Sequence, residues 1–87
     1  MVYLISYDID HDNKENDAKI IELLEQMGAV KCLLSAWLLV SDDTAKDIGN
    51  HVLTVLSDKD RLFVVQVTVN AQYNLMEQEL TDRILQA

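Results

Sequence analysis

In VKCLLSAWLLV, Val30 to Val40, only Lys31 and Ser35 break an otherwise apolar run. The run reads as one long strand. Side chains alternate along a strand, so Leu33, Ser35, Trp37 and Leu39 would face one way and Cys32, Leu34, Ala36, Leu38 and Val40 the other. A kink or short hairpin inside the run stays open, although no Gly or Pro marks a turn. Both faces are largely apolar, so a sheet containing this strand needs cover on both sides.

Upstream, Val2 to Ile9 is β-branched and aromatic and predicts a strand. Tyr3, Ile5, Tyr7 and Ile9 form one face; Val2, Leu4, Ser6 and Asp8 form the other, which turns polar toward its end. Asn13 to Met27 predicts a helix with Ile20, Ile21, Leu24 and Met27 in register and a favourable Glu15–Lys19 pair. Asp12 or Asn13 can cap it, and Gly28 closes it in the left-handed conformation. Downstream, Ser41 to Asp43 is a polar break. Thr44 to Leu56 predicts a second helix along Ile48, Val52 and Val55, weakened by Gly49 by about 1 kcal/mol relative to Ala. Ser57 to Asp60 is a turn, and Arg61 to Val69 alternates as a third strand. A third helix starts near Ala71, capped by Asn70, with Tyr73, Met76, Leu80 and Ile84 as its stripe.

The order β-α-β-α-β-α predicts an α+β domain with helices packed on one sheet, in a parallel or a split β-α-β arrangement. The latter is the ferredoxin-like option: a β-α-β-α-β core over residues 1–70 with two helices on one face, and a C-terminal helical extension over 71–87. Two helices cover one face of so small a sheet. The other face would keep Leu, Val and Trp side chains that the third helix shields only in part. A symmetric homodimer through the sheet is the economical solution; the alternative is a monomer with the third helix as lid.

The chain of 87 residues allows one domain. Fifteen acidic residues against seven basic ones give a net charge of −8, which repels phosphate backbones at long range. The basic residues are scattered, so any nucleic-acid partner has to meet a local patch or a bound cation. Cys32 is the single cysteine, which excludes an intrachain disulfide and suits a reducing compartment. Asp8, Asp10 and Asp12 follow the first apolar run at once, unlike a signal peptide, and no run approaches transmembrane length. A cytoplasmic location is expected.

YDIDHDN, Tyr7 to Asn13, carries the chemistry-bearing residues. Asp8, Asp10 and Asp12 match the first positions of a calcium loop. Asn13 then stands where that loop wants Gly, and Lys19 where it needs Glu, which excludes it. Asp10 to Asn13 read mostly as turn and cap residues. Asp8, at a strand end beside a helix N-terminus, either serves only the strand end and helix cap, the reading these residues alone favour, or with its two-fold mate holds Mg²⁺. His11 could act as a general base or be simply solvated. Ser35 has no His–Asp partners nearby in sequence. Trp37 and Tyr73 could stack on bases, or be core.

Three segments together resemble the family of CRISPR-associated protein 2. YLISYDI, Tyr3 to Ile9, followed by an Asp/Asn-rich turn and a helix ending at Gly28, is similar to the start of that family. VKCLLSAWLLVSDDTA, Val30 to Ala45, resembles its second-strand segment, and DRLFVVQV, Asp60 to Val67, its late strand. The resemblance covers about residues 2 to 69. Stand-alone relatives, including proteins like virulence-associated protein D, share these features.

The resemblance implies a ferredoxin-like homodimer with facing sheets. It also implies a role in prokaryotic defence, either as a metal-dependent endonuclease on RNA or DNA or as a non-catalytic adaptor that binds an integrase or another defence protein. The metal aspartate maps to Asp8, preceded by Tyr7. The second-strand Ser and aromatic map to Ser35 and Trp37, and a basic residue opening that strand maps to Lys31. The resemblance thus assigns catalysis to Asp8, Tyr7 and Ser35, substrate binding to Lys31 and Trp37, and Mg²⁺ to Asp8. Two departures favour the adaptor. Glu15 and Asp17 stand where family nucleases commonly carry arginines, and the tail is helical where many members have a strand.

Overall fold

The structure is a computed structural model that describes residues 1–68. The expected third helix with Tyr73, Met76, Leu80 and Ile84, and the last residue of the expected third strand, Val69, lie outside the described residues.

The apolar run at Val30 to Val40 is a hairpin and not one strand. β2 (Val30–Leu33) and β3 (Ala36–Val40) pair antiparallel around Leu34 and Ser35, with a register shift between Lys31 and Leu33. Burial explains the reversal without a glycine. Trp37 and Leu39 are 3% and 4% exposed, whereas Leu33 and Leu34 at the tip are 67% and 88% exposed. The chain turns where its apolar residues stop reaching the core, and the register shift makes the pairing irregular there.

β1 (Val2–Asp8) lies at the centre of a four-stranded sheet ordered β2-β3-β1-β4, with β4 spanning Arg61–Val67. β1 is antiparallel to both neighbours, with Ile5 opposite Trp37 on one side and Asp8 opposite Arg61 on the other. α1 (Lys14–Gln26) links β1 to β2, and α2 (Ala45–Leu53) links β3 to β4. Each helix therefore carries the chain past an intervening strand. This small α+β arrangement, one antiparallel sheet with two helices, is compatible with a ferredoxin-like fold.

The helices start and stop for local reasons. Thr44 caps α2 by accepting the Asp47 N–H at 3.1 Å. Asn13 occupies the cap position of α1 without capping it, because its side chain donates to Ser57 Oγ at 2.7 Å. Asp10 caps instead the short 3₁₀ turn His11–Asn13, accepting the Asp12 N–H at 3.2 Å. Beyond α1, Gly28 adopts φ +85°, as expected of a glycine that ends a helix.

Tyr3, Ile5 and Tyr7 of β1 meet Trp37 and Leu39 of β3, Ile20 and Leu24 of α1, and Ile48 and Val52 of α2 in one core. Trp37 thus sits on the helix-covered side, against the expectation that it lies on the uncovered one. On the opposite side, Leu4 pairs with Leu38 and Val65, and Ser6 with Phe63. Neither described helix packs over that side, and Phe63 and Val40 are 59% and 46% exposed there. No helix among the described residues is long and apolar enough to cross a membrane.

Candidate functional site

Three connections converge at the C-terminal end of β1: the loop into α1, the β2–β3 turn and the start of β4. The Tyr7 N–H donates to the Ser35 carbonyl at 3.3 Å, which ties the hairpin turn to β1. Between these connections lies an open cleft of about 530 Å³ lined by Tyr7, Asp8, Ile9, Asp10, His11, Lys14, Asp17, Ile21, Lys31, Leu34 and Ser35. A smaller hollow of about 140 Å³ lies beside it, lined by Ser6, Tyr7, Asp8, Arg61, Leu62 and Phe63. Tyr7 and Asp8 border both.

Four of the five residues singled out in the sequence meet here: Tyr7, Asp8, Lys31 and Ser35 all line the cleft. Trp37 does not. It is buried behind Tyr7, and its indole Nε1–H donates to Tyr7 Oη at 3.3 Å. An indole held in the core cannot stack on a base. It supports the Tyr7 side chain from below. Burial raises the Tyr7 phenol above its ordinary range and nearby Asp17 pushes the same way, while the Trp37 hydrogen bond opposes both. At neutral pH Tyr7 is therefore a hydrogen-bond donor and not a base.

The acidic loop contributes more than a turn. Asp10, His11 and Asp12 bring ligand atoms within 4.8 Å of one another, a set that could hold a metal ion. His11 Nδ1 lies 3.3 Å from Asp10 Oδ1, and His11 Nε2 lies 3.3 Å from Asp12 Oδ1. His11 and Asp12 are exposed. Asp8, the ligand expected from the sequence, is not one of this trio.

The cleft lining has three aspartates, Asp8, Asp10 and Asp17, against Lys14 and Lys31. With His11 neutral, that leaves one net negative charge where the whole chain carries −8. A divalent cation would turn the lining positive. Lys14 is not marked by the sequence as a site residue, and Asp17 is marked only as a departure from the resembled family. Their signal was position: both lie in the first turn of the helix that follows the acidic loop.

Asp60, a turn residue by its sequence context, anchors the site. Its Oδ1 accepts the Asp10 N–H at 2.8 Å. Its Oδ2 accepts Asn16 Nδ2 and the Ser57 N–H, each at 2.8 Å, and Ser57 Oγ at 3.1 Å. The Ser57 N–H foremost, then the Asp10 N–H and the Asn16 and Ser57 side chains, hold its carboxyl at about 2 against the opposing effect of desolvation. Asn16, 7% exposed, is the buried polar residue of the described core and depends on this partner. Cys32 is half-buried, and its thiol donates to the Ala36 carbonyl at 3.2 Å. Burial raises its pKa, so it is a poor nucleophile.

No model of a known protein family matches the chain, and no curated protein matches it.

Proposed function

We propose that the chain is a dimeric, metal-dependent endonuclease of the kind its sequence resembles, CRISPR-associated protein 2, cutting a phosphodiester of RNA or DNA in the cleft beside Asp8. The observation that carries this reading is the convergence of Tyr7, Asp8, Lys31 and Ser35 on one cleft with His11 and Lys14. These residues come from separate segments of the chain, and a purely local turn function for the acidic loop does not account for their meeting.

The donor set suits a divalent cation. Asp8 and Asp10 line the cleft, and carboxylates suit Mg²⁺. The His11 nitrogen beside Asp10 and Asp12 also admits Mn²⁺ or another transition ion. Such an ion, when bound, supplies charge to offset the phosphate and makes water acidic enough to attack. Lys14 and Lys31 hold phosphate oxygens, and the Ser35 hydroxyl and the protonated Tyr7 phenol donate to them; with the ion on the carboxylates alone, His11 takes the proton of the attacking water as the bond from phosphorus to the leaving oxygen breaks, and solvent protonates that oxygen. The homodimer through the sheet side bearing Phe63 and Val40 is part of the same proposal, supported by their exposure.

The test is cleavage of single-stranded RNA and of DNA with Mg²⁺ or Mn²⁺, parent against Asp8→Asn. Asp8 is exposed, so the substitution leaves the fold intact. Loss of metal-dependent cleavage in the variant supports the proposal. An inactive parent, or a variant as active as the parent, rejects it.

A second reading is favoured by one observation: Asp17 lines the cleft, where it repels phosphate. On that reading the dimer is a non-catalytic adaptor for a spacer-acquisition integrase or another defence protein. Co-purification with the integrase that is lost on removing residues 71–87 supports it. A lone dimer that degrades nucleic acid counts against it.

A further inference from the structure

We propose that Asp60 is a positioning residue for the cleft, fixing the loop between β1 and α1 and so setting where Asp10 and His11 stand; this rests on the reading of the cleft as the reacting site. The loop leaves the sheet after Asp8, so strand pairing no longer holds it. What holds it comes from the turn before β4. Asp60 Oδ1 takes the Asp10 N–H at 2.8 Å. Oδ2 takes Asn16 Nδ2 at 2.8 Å, within the first turn of the helix. Between these two points Asn13 Nδ2 donates to Ser57 Oγ at 2.7 Å, and Ser57 Oγ donates in turn to Asp60 at 3.1 Å. The loop is thus pinned at its start, at its end and in the first turn of α1.

The chemistry of the node calls for a carboxylate. All four groups that meet Asp60 are donors: two backbone N–H groups, an amide NH₂ and a hydroxyl. An asparagine of the same shape keeps one acceptor oxygen and turns an NH₂ toward the remaining donors. Charge-assisted bonds of this kind are the strong ones, and removing the acceptor leaves the donors unpaired. Asp60 lines neither hollow, so it acts only through the loop. Residues that orient ligating side chains cost roughly 10–100-fold in activity when replaced.

The experiment compares the intact parent, Asp60→Asn and the milder Ser57→Ala by residue-resolved amide hydrogen exchange, alongside the kinetics of metal-dependent cleavage. In Asp60→Asn, the amides of Asp10, Asp12 and Asn13 should exchange at least about tenfold faster. Those of Ile5 and Leu39 in the sheet should keep the parent rate. Ser57→Ala should show the same pattern at smaller amplitude, and kcat should fall with KM little changed. Uniform acceleration in both variants would mark Asp60 as a general stability residue and overturn the proposal, as would an unchanged Asp10 amide. If the parent cleaves nothing, the nuclease reading falls. The exchange pattern still decides whether Asp60 sets the loop.

Discussion

Asp60 Oδ1 accepts the N–H of Asp10 at 2.8 Å, joining two loops fifty positions apart. Four donors hold the folded carboxyl at about 2, whereas an unfolded aspartate titrates near 3.9. A depressed carboxyl pKa contributes stability that is present above the unfolded value and lost as pH falls through the folded one. Asp60→Asn should therefore lower the urea midpoint at pH 6, and the gap to the parent should narrow between about pH 4 and pH 2. A constant gap across that window would show that the charge contributes nothing.

The two lysines of the cleft make a separate prediction. If Lys14 and Lys31 contact phosphates, each change to Ala should reduce the slope of log affinity against log salt by about 0.7 for single-stranded RNA. Fluorescence anisotropy over a salt series reads this directly. Slopes equal to the parent's would remove both residues from the binding surface.

Trp37 is the single tryptophan of the chain, and it is 3% exposed. Its emission should be blue-shifted, resistant to iodide and unchanged when oligonucleotide is added. Trp37→Ala should cost about 3–5 kcal/mol by emptying the core. Trp37→Phe, which loses chiefly the hydrogen bond to Tyr7, should cost much less. Quenching of the parent's emission by RNA would restore a stacking role.

The two glycines should respond with opposite signs. Gly28 sits at φ +85°, so Gly28→Ala should destabilise by about 1 kcal/mol. A Cβ added at Gly49 would meet its nearest neighbour, Val64 Cγ2, at 3.9 Å, an ordinary contact. Gly49→Ala should therefore stabilise α2 by about 0.5–1 kcal/mol. Chemical denaturation of both variants reads the signs.

Phe63, 59% exposed on the side away from the helices, tests the dimer. In a two-fold interface each substitution acts twice, so Phe63→Glu should weaken association on the order of a hundredfold or more. Light scattering at micromolar concentration should show a dimer for the parent and a single subunit for the variant. A parent that is itself a single subunit would end the dimer proposal.

The central strand, both described helices and the glycine stop at Gly28 were legible in the sequence. They depend on local chemistry: alternation in Val2 to Asp8, the stripe of Ile20 and Leu24, the Thr44 cap and a left-handed glycine. That Asp8 ends a strand beside a helix start was legible for the same reason. The hairpin at Leu34 and Ser35 was not decided locally. Apolar residues on both parities fit one strand as well as two, and only contact of Trp37 and Leu39 with the core selects the reversal. The site divides the same way. Residue type marked Asp8, and the family resemblance marked Ser35 and Lys31, but their meeting in one cleft and the removal of Trp37 from it follow from how the hairpin docks on β1. Asp60 was invisible because a carboxylate in a turn looks the same whether it faces water or four donors. Which of the two it faces is set by chain segments far away in sequence, and only the folded structure brings them together.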